Sequence, residues 1–116
     1  MQRDDAVLLD VLRAARRCQD IAARVGSEAA FLADEDAQGN MLYWMIVVGE
    51  AVRRLSDTFV KQHSNIPWRK IVDMRNRLVH RYDDVDLTIV WESAQRDIPL
   101  LIAYVDPLVP RDEGSR

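Results

Sequence analysis

The sequence predicts an all-α fold, an up-down bundle of four main helices and one short helix. Three observations support this fold. Apolar residues recur at steps of three and four along most of the 116 residues, no segment alternates as a strand does, and the four glycines and four prolines stand where helices begin or end. A chain of this length forms one domain. We expect the helical domain to cover residues 1–106 and a flexible tail to follow over residues 107–116.

The first half of the chain predicts three helices. The first runs from Asp4 to Val25, since its apolar residues form one stripe. Gly26 suits the C-cap of this helix, and a short second helix begins at Ser27 and ends at Leu32. Residues 34–40 are polar and predict a turn. A long central helix is expected over residues 40–62, and its first half is apolar on all sides, as in a core helix.

The second half predicts two more long helices. Pro67 fits the first turn of a helix that ends near His80 and turns Ile71, Met74 and Leu78 inward. Asp86 is the expected N-cap of a last helix, which reaches residue 105. Pro99 lies within this helix and is expected to kink it.

Composition and cysteine content narrow the class of protein. Hydrophobic residues make up 48% and charged residues 30%, which is typical of a folded globular chain. The longest apolar run, residues 41–48, is eight residues long, whereas a membrane helix needs roughly 20. No signal peptide is apparent, and the single cysteine, Cys18, excludes an internal disulfide and a cysteine metal cluster. We expect a cytoplasmic protein with no membrane association, metal site or cofactor.

Basic residues are concentrated in one segment of an acidic chain. The net charge is −3, yet residues 67–82 carry five cations and one carboxylate, a balance of +4 that leaves −7 for the remainder. A single basic face on an acidic body suits a specific anionic ligand better than general polyanion binding. A solvated helix face is the alternative interpretation of such a charge run.

The same segment carries side chains suited to phosphoryl chemistry. Arg75 and His80 are five residues apart, roughly 140° around a helix, and converge only because arginine is long and His80 lies where the helix ends. An imidazole exchanges protons near neutral pH, and a guanidinium holds phosphate oxygens with two donors. Asn76 and His80 share a polar stripe with Asp73, so the amide can orient either partner. A metal-independent ribonuclease needs these groups, although a capping histidine and a surface arginine cluster would give the same spacing.

Several motifs together resemble the HepT-like branch of the HEPN superfamily. Residues 74–82, Met-Arg-Asn-Arg-Leu-Val-His-Arg-Tyr, fit its signature of Arg, four residues, His, one residue and Tyr, with Asn directly after the Arg. Val85-Asp86 and Val90-Trp91-Glu92 follow as in that family. Residues 48–56 resemble its central-helix motif, residues 66–68 the segment before the motif helix, and residues 97–100 its last helix. The similarity covers about residues 4–105.

The resemblance implies a HEPN-like bundle that forms a homodimer, with the two motif helices meeting at the interface. It also implies a ribonuclease toxin whose antitoxin, a minimal nucleotidyltransferase, attaches AMP to the motif tyrosine, here Tyr82. Arg75 and His80 take the catalytic roles, and supporting and RNA-binding roles fall to Asn76, Arg77 and Arg81. The chain departs from many relatives at Tyr43-Trp44, where a polar pair is expected, which bears on substrate preference.

Two other interpretations of the sequence remain open. The chain is alternatively a non-catalytic subunit that docks a nucleotidyltransferase and binds a nucleotide, or a purely structural helical dimer. Among the remaining polar residues, we expect His63 to be solvated and Glu50 to be either a buried partner of an arginine or a dimer contact. We expect Trp44, Trp68 and Trp91 to be core or interface aromatics.

Overall fold

The computed structural model describes residues 3–110 and confirms the all-α prediction. Six α-helices are present in this range, four long and two short. They are α1 (Arg3–Val25), α2 (Glu28–Leu32), α3 (Glu35–Arg53), α4 (Asp57–Gln62), α5 (Trp68–His80) and α6 (Leu87–Val105). The long helices form the bundle: α1 packs against both α3 and α6, and α5 packs against α3. Residues 3–110 thus contain two short α-helices rather than the single one expected.

Local capping residues determine several helix ends, as the sequence predicts. Gly26 has φ of 87°, which suits glycine at a helix C-terminus. The side chain of Ser27 accepts a hydrogen bond from the backbone N–H of Ala30 and so begins α2. The Asp86 carboxylate accepts from the N–H of Thr88 at 3.0 Å and begins α6. These ends depend on neighbouring residues alone, which explains why they could be predicted.

The prediction of a turn over residues 34–40 is wrong, because α3 begins at Glu35. Asp34 has extended backbone angles, and its carboxylate accepts from the N–H of Ala37 at 3.0 Å, as an N-cap does. Glu35 and Asp36 then occupy the first turn, where negative charge is favoured by the helix dipole. The polar run is therefore the capped start of the central helix.

The central helix expected over residues 40–62 is in fact two helices, since α3 ends at Arg53 and α4 begins at Asp57. Ser56 caps α4, and its own N–H and hydroxyl donate to the carboxylate of Asp4 at 2.9 and 2.7 Å. These two bonds lower the pKa of Asp4 below its ordinary value. A contact between residues 52 positions apart thus stabilises the break, and apolar periodicity does not reveal it.

The core lies between α1, α3 and α6, and the fully buried side chains come from all three. They include Val11, Cys18, Met41, Val48 and Leu101. Burial raises the pKa of the Cys18 thiol to about 12, so this side chain stays protonated at neutral pH. Trp68 and Trp91 are also buried, as expected.

A small aromatic cluster anchors the start of α5. The Trp68 indole N–H donates to the carbonyl of His63 at 2.8 Å, and the Trp68 ring meets Phe59 edge-on. The His63 ring stacks on Phe59, and its Nδ1 lies 2.7 Å from the Tyr104 hydroxyl. The expectation of a solvated His63 is therefore wrong, because the histidine is a partly buried member of this cluster.

The C-terminal part of the domain extends beyond the predicted boundary at residue 106. Helix α6 runs through Pro99 without interruption, and a 3-10 helix, Asp106–Leu108, follows it. Val109 is buried against the core. The packed domain thus reaches Val109, while residues 111–116 of the expected tail lie outside the described residues. Within the described range no helix has the length and apolar character needed to cross a membrane.

Candidate functional site

The candidate site is built on a close approach between α3 and α5 at Gly49. The backbone and Cβ of Arg75 lie directly over this glycine, which is buried near the C-terminal end of α3. A Cβ added at position 49 would overlap the Cβ of Arg75 and lie 2.8 Å from its Cγ. Glycine in a helix interior is intrinsically unfavourable, so this one has a packing role. It lets α5 lie close enough to α3 to place Arg75 in the helix interface.

Two neighbouring side chains hold the guanidinium of Arg75. Its side chain is only 16% exposed, and its Nε forms an ion pair with the carboxylate of Glu50, the residue after Gly49. Its Nη1 donates to the Asn76 side-chain oxygen at 2.8 Å. The same Glu50 carboxylate lies 3.2 Å from Arg53. The expectation of an arginine partner for Glu50 is confirmed, but Glu50 is exposed rather than buried.

His80 occupies a different part of α5. It is the last residue of the helix and is exposed. Within residues 3–110 the structure gives its side chain no hydrogen bond or ion pair. The five-residue separation of Arg75 and His80 turns them roughly 140° apart around the helix axis. The structure therefore joins Asn76 to Arg75 by a hydrogen bond, whereas His80, one turn after Asn76, lies on another side of α5 from Arg75.

Tyr82 lies just beyond the helix end, and its side chain is 75% exposed. It begins a 3-10 helix, Tyr82–Asp84, after Arg81 has closed α5. Arg81 forms an exposed ion pair with Asp84 at 3.3 Å. The Tyr82 hydroxyl is thus accessible to a large reagent, as its position after the helix predicts.

Exposed apolar side chains are present on both helices that form the site. Val79 follows Arg75 by four residues on the same side of α5 and is 37% exposed. On α3, Tyr43 is 58% exposed and meets the ring of Trp44 edge-on. The guanidinium of Arg17 lies 5.3 Å from the Trp44 ring, so a cation–π contact covers part of this tryptophan. Val79 thus continues an apolar surface on the Arg75 side of α5, whereas Tyr43 lies about two turns before Glu50 on α3.

The sequence carried a signal for the missed residue, Gly49. A glycine inside a strongly apolar helical pattern indicates close packing, but the sequence does not say which residue packs there.

No group of three His, Cys, Asp or Glu side chains in the described range is placed to hold a metal ion.

Comparison with known proteins identifies relatives. The family model described as "Ribonuclease HepT-like" matches residues 11–108. A "Probable ribonuclease HepT" of Thermococcus cleftensis is 35% identical over 71 residues, which are 61% of this chain and 64% of that protein. A "Putative RNase" of Caldanaerobacter subterraneus subsp. tengcongensis is 36% identical over 67 residues, 58% of this chain and 60% of the relative. The chain thus spans less than two thirds of the length of these two relatives. No solved structure matches it.

We predict that Gly49→Ala separates α5 from α3, because the new methyl group overlaps the Arg75 side chain. Overpacking of this kind costs about 1–3 kcal/mol of the free energy of unfolding. Urea unfolding measures that loss, and a crystal structure shows whether the Arg75–Glu50 ion pair is broken.

The matched control is Gly39→Ala in the same helix. A Cβ at position 39 meets no atom within 4 Å, so this variant gains about 0.5–1 kcal/mol from helix propensity. Equal effects of the two substitutions on unfolding would contradict a packing role for Gly49.

Proposed function

The chain belongs to the HepT-like ribonuclease family, and from this premise we propose that it is a metal-independent endoribonuclease in which Arg75 and His80 are the catalytic residues. The observation that carries the proposal is the oriented guanidinium. Arg75 is held by Glu50 and Asn76 on the helix that ends in an exposed His80. A helix with only a packing role does not need a partly buried, paired arginine and an exposed histidine.

The proposed reaction uses the RNA strand as its own nucleophile. The ribose 2′-oxygen attacks the adjacent phosphorus, the O2′–P bond forms and the P–O5′ bond breaks. The proton of the 2′-hydroxyl leaves, and a proton is delivered to the departing 5′-oxygen; His80 moves protons in this exchange. Arg75 stabilises the charge on the phosphoryl oxygens with its forked donors. The products are a 2′,3′-cyclic phosphate and a 5′-hydroxyl.

We propose that the working form is a two-fold homodimer. Arg75 and His80 lie on different sides of α5, so one chain alone does not bring them to one phosphate. Val79 lies one turn after Arg75 on α5, and Tyr43 lies about two turns before Glu50 on α3. Both are exposed and supply apolar surface that a second copy can cover. In a two-fold interface each copy contributes the same patch, which brings both motifs near the axis. Arg75 of one protomer then faces His80 of its partner.

The biological role we propose is that of a toxin in a toxin–antitoxin pair, neutralised by a minimal nucleotidyltransferase that modifies Tyr82. The Tyr82 oxygen attacks the α-phosphorus of ATP and loses its proton to solvent or a base of the transferase. The new O–P bond forms as the bond between the α-phosphorus and the bridging oxygen breaks, and pyrophosphate leaves. The attached AMP places a phosphodiester charge near Arg77 and Arg81, where it occupies the position of an RNA phosphate. The exposure of Tyr82 supports this role, since the modifying enzyme must reach its hydroxyl.

For the nuclease activity, we predict that His80→Ala lowers the rate of RNA cleavage by about 10²–10⁴-fold, the usual contribution of a proton-transfer group. Arg75→Lys is expected to lose about 10²–10³-fold, because a point charge does not replace the guanidinium fork. Cleavage of end-labelled RNA by purified protein in the presence of a chelator measures both rates and identifies the cyclic phosphate.

The matched control is Arg13→Lys on the exposed side of α1, which is expected to cleave at the wild-type rate. Wild-type activity of folded His80→Ala protein would overturn the assignment. Activity that requires added magnesium would overturn the mechanism.

For the regulation, we predict that Tyr82→Phe remains an active nuclease but accepts no AMP, because only the hydroxyl is removed from an exposed ring. The measurement is mass spectrometry of the chain after co-expression with a cognate nucleotidyltransferase, together with an RNA-cleavage assay. Tyr43→Phe, another exposed tyrosine, is the control and should still be modified at Tyr82. AMP on a different residue, or silencing of the Tyr82→Phe variant by modification, would show that Tyr82 is not the target.

A further inference from the structure

A groove lies between α5 and the first turn of α6, away from the Arg75–Glu50 pair. Its volume is about 420 Å³, and it is lined by Arg69, Lys70, Asp73, Met74, Arg77 and Ile89. Met74 is partly buried and Ile89 is 40% exposed, so the groove has an apolar floor. Its rim is basic. The volume is in the range of pockets that hold small organic ligands of nucleotide size.

The three cationic side chains on the rim differ in whether they have an ion-pair partner. The Lys70 ammonium lies 3.2 Å from the Asp97 carboxylate, which is buried in α6, and this ion pair ties α5 to α6. Arg69 and Arg77 are exposed, and within residues 3–110 the structure gives neither of them an ion pair or a side-chain hydrogen bond. Both guanidinium groups thus keep their full set of donors for a ligand.

The groove shares a helix face with His80. At about 100° per residue, Arg69 and His80 lie within about 20° of each other around α5, whereas Arg75 lies more than about 100° from both. Arg69 and Arg77 are eight residues apart, about 12 Å along the axis, so they contact different groups of an extended anion. One exposed face of α5 therefore carries two free guanidinium groups and the proton-transfer residue.

We propose that this groove holds the phosphate backbone of single-stranded RNA that flanks the cleaved bond, an inference that rests on the proposed ribonuclease function. Arg69 and Arg77 contact phosphates through their forked donors, and the Met74–Ile89 floor contacts a ribose or a base. Continuity with His80 favours RNA over an acidic protein segment, because a strand in this groove passes directly to the residue that moves its proton. The groove supplies affinity for the strand, whereas Arg75 and His80 act on the bond.

The test measures binding apart from cleavage. The probe is a fluorescent single-stranded RNA of mixed sequence, titrated against His80→Ala protein so that it stays intact. In this background Arg69→Gln is expected to weaken binding several-fold and to lower the slope of log affinity against log salt by about 0.7, the value for one lost phosphate contact. Asp73→Asn, which removes the carboxylate from the groove, is expected to tighten binding. Arg13→Gln on α1 is the matched control and should leave both quantities unchanged.

A kinetic arm uses protein with His80 intact. On a long RNA, Arg69→Gln should raise KM several-fold with kcat unchanged, whereas on a dinucleotide neither changes, because the dinucleotide does not reach the groove. Equal RNA affinity and salt slope for Arg69→Gln and Arg13→Gln would overturn the proposal. So would an Arg69→Gln variant that binds RNA normally but no longer binds a protein partner. A third outcome separates the two proposals. If Arg69→Gln weakens RNA binding but the wild-type chain does not cleave RNA, the groove is an RNA-binding site and the nuclease function is refuted.

Discussion

The packing of α5 on α3 at Gly49 is the constraint on which the rest of the site depends. Because no Cβ stands at that position, the Arg75 backbone approaches α3 and the guanidinium becomes partly buried. A charge withdrawn from water is costly unless it is paired and hydrogen-bonded. The carboxylate of Glu50 pairs with the charge, and the side-chain oxygen of Asn76 accepts one hydrogen bond from Nη1. One glycine thus explains why the arginine is oriented and why its two partners lie where they do.

The two proposed catalytic residues lie in different surroundings on α5. Arg75 is fixed in a helix interface, while His80 ends the helix and faces solvent. A spacing of five residues on a helix leads to this separation. A guanidinium that binds charge benefits from a rigid setting, whereas a group that exchanges protons needs access to the substrate. In the proposed homodimer, one group from each chain acts at one phosphate, which would meet both demands.

Sequence predicted the parts of this molecule that depend on near neighbours. The stripe of α1, the Ser27 and Asp86 caps and the end of α5 at His80 were correct because short-range spacing determines them. The break before α4 was missed because Ser56 is held by Asp4, far away in sequence. The start of α3 was missed because a polar run containing an N-cap resembles a turn. The motif residues could be named from the sequence, but the Gly49–Arg75 approach arises only when two helices meet.

A heterodimer of two inactive chains tests the shared site most directly. Arg75→Ala and His80→Ala chains carry different affinity tags, are co-expressed and are purified through both tags. If each site combines Arg75 of one protomer with His80 of its partner, this heterodimer keeps one intact site of two and cleaves RNA at about half the wild-type rate. Each variant alone stays inactive. A heterodimer no more active than either variant alone would contradict a site shared between two chains.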